Sequence, residues 1–183
     1  MKYRWPKALG LKALGRMLSY LGICVAMAGV VLVGSAAAQT GSGALLGPAQ
    51  TQKLLPQSVY FKGQSATTQI RNSGGVKFAD GAYLLAVLVD TSGYSSEVAQ
   101  KYQAYLITED AIRIEGKRLP AGIYGVGFLS GDRFVVMDVG AHELLTVPSQ
   151  TDATSKRPRP LQLTAAAGSY RLYEGRRYVT VEK

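Results

Sequence analysis

The chain has one cysteine, one histidine and one tryptophan in 183 residues. Cys24 lies inside an apolar run near the N-terminus, and no cysteine follows it. The body of the protein therefore has no disulfide, no thiolate nucleophile and no Cys-ligated zinc. With His142 as the sole histidine, a His-rich metal site is excluded by count. No Gly-x-Ser-x-Gly elbow and no Asp-x-Asp-x-Asp-Gly string occurs, which removes the usual local signatures of an α/β-hydrolase serine and of a calcium loop. Gly125-x-Gly127 sits inside a strand pattern and does not open a helix, so it is not a phosphate loop.

Acidic residues are also missing from the first 38 positions, where Lys2, Arg4, Lys7, Lys12 and Arg16 precede an apolar run from about Met17 to Gly34. "SAAAQT" follows, with small residues at Ala36 and Ala38. A basic, then apolar, then A-x-A order is that of a secretory signal peptide, with cleavage expected after Ala38. The run is also long enough to stay as an anchor, since about 17–25 residues span a bilayer. Its basic flank keeps the N-terminus cytoplasmic. "LGIC" is not a lipoprotein box, because the residue before the cysteine is the bulky Ile23. Taking the five leader charges from the formal +9 leaves +4 for residues 39–183. That is an ordinary solubility charge and, with export, it argues against a nucleic-acid partner. Periplasm and medium remain equally open, and membrane contact is expected only through the leader if it is retained.

Residues 39–54, rich in Gly, Ser, Gln and Thr, have no periodicity and read as a flexible lead-in. From residue 55 to 183 short apolar runs alternate with Gly, Asp, Asn and Ser clusters, the texture of a single all-β domain. The reading is an antiparallel sandwich or flattened barrel of about nine to eleven short strands, with at most one short helix, capped by Ser95. "YLLAVLV", Tyr83–Val89, is apolar at every position and so expects cover on both faces. It takes the centre together with strands at Gly122–Leu129 and Arg133–Val139. Glu115-Gly116 turns the chain before "KRLPAG", a basic stretch that reads as a connection between strands.

Several constellations bear chemistry. If Glu174 and Gly175 form the last hairpin loop, Tyr173 faces Arg176 and Arg171 faces Tyr178. Pleating then puts Arg171, Tyr173, Arg176 and Tyr178 on one face, opposite an inward face of Tyr170, Leu172, Val179 and Val181. This checkerboard offers a seat for an anion, a sugar or an acidic partner, or simply cross-strand cation–π stacking. Tyr94, Tyr102 and Tyr105 form a glycan- or peptide-binding cluster or a core rim with hydroxyls in water. Gly125 and Gly127 leave a shallow groove that a ligand or a bulky side chain from the facing layer must fill. His142, four residues after Asp138, lacks an evident nucleophile. "KRPRP", Lys156–Pro160, is a solvated basic loop or a dock for an anionic surface.

"LLPQSVYFKGQSATTQIRNSGGVKFADG", "LVDTSGYSSEVAQKYQAYLITE" and "FVVMDVGAHELLTV" resemble uncharacterised exported β-rich proteins of soil acidobacteria. "IRIEGKRLPAGIYGVGF" is similar to a segment of a secreted bacterial β-sandwich family of unknown function. The resemblance implies a sandwich and assigns no residue a role. The expectation is a non-catalytic exported binding or envelope-associated module, with no cofactor and no metal, whose partner is an envelope component or anionic ligand. A small-ligand carrier with a pocket beside Gly125 and Gly127, or a hydrolase using His142, are the alternatives.

Overall fold

The computed structural model describes residues 43–183; the expected leader and cleavage site lie outside the described residues. Strands make up 57% of it, and every pairing is antiparallel. In chain order the elements are β1 (Ala44–Leu46), α1 (Pro48–Thr51), β2 (Ser58–Phe61), β3 (Gln64–Lys77), β4 (Tyr83–Val89), α2 (Ser96–Lys101) and β5 (Ala104–Thr108). There follow β6 (Ile112–Ile114), β7 (Lys117–Leu119), β8 (Gly122–Leu129), β9 (Arg133–Met137), β10 (Glu143–Pro148), β11 (Gln150–Thr151), β12 (Arg159–Ala166), β13 (Ser169–Gly175) and β14 (Arg177–Glu182). An eight-stranded sheet runs β1-β3-β4-β5-β8-β9-β10, with β2 also on β3. A six-stranded sheet runs β12-β13-β14-β6-β7, with β11 also on β14.

The two sheets form a sandwich and not a closed barrel. The expected all-β class holds, in more and shorter pieces: fourteen strands and two short helices among the described residues. Part of the excess comes from "KRL", expected as a connection. It is β7, an edge strand paired to β6 across Glu115-Gly116, both at positive φ (47° and 77°) as a type I′ turn requires. Lys117 and Arg118 on that edge discourage pairing with another chain.

Between the sheets lies one apolar cluster. Leu84, Ala86, Leu106, Val126, Phe134 and Val136 of the larger sheet meet Ile112, Ile114, Leu163, Leu172, Val179 and Val181 of the smaller. On β4 the intervening residues Leu85, Val87 and Val89 are buried too, in a second cluster on the outer side of the larger sheet. The strand expected to need cover on both faces has it. That cover comes from the same chain. The β2–β3 hairpin contributes Val59, Phe61 and Ala66, and α2 with the residue after it contributes Val98 and Tyr102.

Glycine makes this third layer fit. A Cβ on Gly125 would overlap the Phe61 ring, and one on Gly127 would overlap the Lys101 carbonyl at the end of α2. The groove expected on this strand is filled by a side chain and a helix end of the facing layer. Phe61 stacks on Tyr102 with ring centroids 3.8 Å apart and planes 15° apart. Just beyond, Gln103 takes over the role of a paired strand. Its amide oxygen accepts from Phe128 N at 2.7 Å, and its amide nitrogen donates to Phe128 O at 3.2 Å.

The tyrosine cluster is a core and not a wet rim. Tyr102 is fully buried, and its hydroxyl has no hydrogen-bond partner among the described residues. Burial pushes its ionisation far above the ordinary tyrosine range. An unpaired buried hydroxyl costs about 1–3 kcal/mol, which ring burial and stacking of similar size offset. Tyr94 donates to Phe61 O and Gln64 O at 3.0 and 3.1 Å, pinning the hairpin from its own side.

β3 serves two layers and must bend between them. Its first part pairs with β2 in the outer layer, and its end pairs with β1 in the main sheet. Against β4 the ladder runs through Thr68↔Val89 and Gln69↔Leu88, then resumes at Ser73↔Val87, leaving Ile70, Arg71 and Asn72 out of register. A bulge of this kind bends a strand and re-aims its side chains.

The segment 39–54 is not a flexible lead-in where it is described. β1 pairs with Gly75–Lys77 of β3, and Pro48 starts the single turn of α1 with Gln50 Oε1 accepting from Gly47 N at 3.1 Å. Thr51 is fully buried, its hydroxyl 2.6 Å from that of Ser73. A three-residue strand and one helical turn are too short to leave a periodicity in sequence.

Replacing Gly127 by Ala is expected to destabilise by about 1–3 kcal/mol, the usual cost of overpacking. Gly93→Ala, whose new Cβ would lie 3.7 Å from its nearest neighbour, should stay within about 0.5 kcal/mol of wild type. Urea unfolding of both variants checks this; equal effects would contradict the close packing of α2 on β8.

Candidate functional site

The last hairpin closes on Gly175 and Arg176, one residue later than expected. Gly175 takes φ 62° at the first loop position, as a type II′ turn asks. Glu174 thereby enters the ladder opposite Arg177, and cross-strand partners shift by two. A shift of two keeps each side chain on its face. Arg171, Tyr173 and Tyr178 do share the outer face, while Arg176 stands in the turn, exposed. Tyr173 is opposite Tyr178, ring centroids 5.0 Å apart, and Arg171 is opposite Thr180. The Arg171 guanidinium reaches diagonally over the Tyr178 ring, 4.6 Å from its centroid.

That face is largely covered from within. β11 pairs with β14 at Gln150↔Tyr178 and Thr151↔Arg177. Tyr178 donates to Gln150 Oε1 at 2.7 Å and Tyr173 to Asp152 Oδ2 at 3.3 Å, leaving both tyrosines buried. The aromatic half of the checkerboard is thus spent on holding the segment after β10.

Arg177, which the sequence did not single out, has a larger structural part. It lies on the inner face beside Val179. It donates to Phe128 O and Leu129 O of β8 at 3.0 and 3.2 Å and to Glu174 Oε2 at 2.6 Å. One guanidinium therefore ties an interior strand of the smaller sheet to the end of a central strand of the larger. The signal in sequence was the turn: with Gly175 first in the loop, Glu174 and Arg177 become opposite. Burial raises the Glu174 carboxyl above its ordinary value of 4.5, and the Arg177 charge opposes that rise.

His142 sits on an exposed turn. Its Nδ1 is 2.9 Å from Asp138 Oδ2, while Asp138 Oδ1 accepts from the amides of Gly140 and His142. These amide bonds, with the His142 ring, hold the Asp138 carboxyl below the usual carboxylate range. Among the described residues Asp138 is the only side chain hydrogen-bonded to the ring. Beside Gly127, with Val126, Phe128 and Glu174 around it, the remaining void is about 10 Å³, room for at most one water.

A larger cleft opens elsewhere, at the seam where β3 and β12 meet. It measures about 270 Å³. One wall is the β3 bulge, with Arg71, Asn72 and Ser73; the opposite wall is β12, with Arg159, Pro160 and Gln162. β12 is bulged here as well: between Arg159↔Gly175 and Gln162↔Tyr173, Pro160 and Leu161 lie opposite the single residue Glu174. Two irregular strands thus face each other across one opening. Gly74 forms the close approach: a Cβ there would lie 3.1 Å from Leu163 N. The bulge is held from behind, where Ser73 Oγ donates to Ile70 O at 2.5 Å and meets Thr51 Oγ1 at 2.6 Å. Leu46 and Pro48 close one end.

Arg71 and Arg159 are both exposed, and neither forms an ion pair among the described residues. The lining is cationic and amide-bearing, with apolar patches. Its one hydroxyl, on Ser73, is committed to the backbone. In sequence "KRPRP" reads only as a basic loop, with no sign that the fold brings it against the β3 bulge. No local pattern records a contact between positions about ninety residues apart.

No family model matches the chain, and neither does any curated protein or solved structure.

Because its folded-state ionisation is raised, Glu174 contributes stability that is complete below its unfolded value and is lost as pH rises through the folded one. Relative to Glu174→Gln, the wild type should therefore lose stability as pH rises above the ordinary glutamate range, read by urea unfolding at fixed ionic strength. A wild type that gains on the variant over that rise would contradict the assigned burial.

Proposed function

We propose that this protein is an exported, non-catalytic binding module, and that its ligand sits in the seam cleft between the β3 and β12 bulges. The observation that carries the reading is the cleft itself: about 270 Å³, open to solvent, walled by two irregular strands and two arginines without acidic partners among the described residues. Its lining offers charge and hydrogen bonds that recognise a ligand, and no side chain that titrates near neutral pH to move a proton in a reaction. Export rests on the basic leader, the apolar run and the small residues at Ala36 and Ala38. The partner belongs to the cell envelope or its surroundings, and the modest positive charge of residues 39–183 favours an anionic one over nucleic acid.

The carrier alternative finds less support, since the space beside Gly125 and Gly127 is taken by Phe61 and the end of α2. The hydrolase alternative has an aspartate to orient His142 but no hydroxyl on the ring among the described residues.

Hydrogen exchange of the full chain, with and without a soluble envelope extract, tests the site. Added protection is expected at residues 70–74 and 159–163. Protection confined to residues 171–178, or none at all, would contradict the proposal.

A further inference from the structure

We infer that the seam cleft takes an oxyanion, a carboxylate or phosphate group, carried on a small organic molecule with a short apolar body. This deepens the binding-module reading and rests on it. Guanidinium groups present a planar fork of N–H donors that matches the paired oxygens of carboxylate and phosphate. Arg71 and Arg159 supply two such groups from opposite walls of the cleft, and Asn72 and Gln162, one on each wall, add amide groups. Lys156 and Arg157, just before Arg159 in the chain, add positive field on the approach from the loop.

The cleft is also preformed, which limits the ordering cost of binding. The Ser73–Thr51 hydroxyl pair and the bond from Ser73 to Ile70 O fix the β3 bulge, and Thr51 and Ser73 are themselves buried. Pro160 stiffens the facing strand. The apolar walls decide between a bare ion and an organic one. Leu46, Pro48 and Pro160 line the opening and give a hydrocarbon something to cover, which a bare phosphate would leave wet. The volume is just under the usual lower bound of about 300 Å³ for ligand pockets. It therefore suits a head group with a few carbons, free or at the end of a lipid, and not a long chain held inside.

The test titrates the full chain with hexyl phosphate, hexanoate, inorganic phosphate, the neutral hexyl glucoside, and phosphatidylglycerol vesicles. Amide shifts at residues 71–74 and 159–163 are followed by NMR. Hexyl phosphate or hexanoate should bind at least about tenfold more tightly than inorganic phosphate or the glucoside. Arg71→Gln and Arg159→Gln should each weaken that binding by about tenfold, equivalent to about 1.4 kcal/mol. The Lys variants should fall between, since they keep the charge and lose the fork. Both arginines are exposed, and an unchanged unfolding midpoint confirms that the variants still fold. Binding of vesicles as tight as that of hexyl phosphate assigns the group to a lipid head; binding of the soluble anions alone assigns it to a free metabolite. Glucoside binding equal to that of the anions and insensitive to both Gln variants overturns the oxyanion and leaves the cleft as a binding site. Inorganic phosphate binding as tightly as the alkyl anions overturns the organic body. The absence of any shift with every probe overturns the inference, while protection by envelope extract would still stand for the broader reading.

Discussion

The eight-stranded sheet is apolar on both faces, and a sandwich covers only one of them. This constraint governs the rest of the fold. β4 presents Leu84 and Ala86 to the smaller sheet and Leu85, Val87 and Val89 to the other side. Left open, that outer face would be a large apolar patch of the kind that soluble proteins avoid. The chain closes it with the β2–β3 hairpin, the residues just before that hairpin, and α2. Glycines at 125 and 127 let the cover approach the sheet backbone. Phe61 is the contact through which the cover is seated, lying over Gly125 and stacked on Tyr102.

The cleft follows from this cover. β3 begins as an arm of the covering hairpin and ends as a strand of the main sheet, so it must change layers along its length. The three residues out of register at 70–72 are where it does so. Bending there swings Arg71 and Asn72 out of the ladder and toward β12, whose own bulge at Pro160 and Leu161 completes the opening. The cleft is thus a by-product of how the outer layer is attached, lined by two arginines and held by a rigid hydroxyl support. The Arg171–Tyr178 contact, by contrast, belongs to the packing of β11 and Asp152 on the smaller sheet.

Much of the architecture was legible because strand patterning is local. "YLLAVLV" announced double burial, and the glycines of "GIYGVGF" announced a close neighbour, since each needs only the side-chain period of two and the absence of a Cβ. The short pieces β1, α1, β7 and β11 were not legible, because two to four residues hold no period. The final hairpin was read with the right faces and the wrong partners. Period fixes the face, whereas the loop position depends on which residue accepts positive φ, and Gly175 fits either register. The cleft was the least visible feature, because it depends on bulges in two strands that lie far apart in sequence.

The outer layer is part of the hydrophobic core and not a loop resting on it. Urea unfolding of Phe61→Ala is the sharpest check: one cooperative transition is expected, displaced by about 3–5 kcal/mol, as for a large aromatic removed from any core. A loss below about 1 kcal/mol, or a separate early transition for residues 43–70, would contradict it.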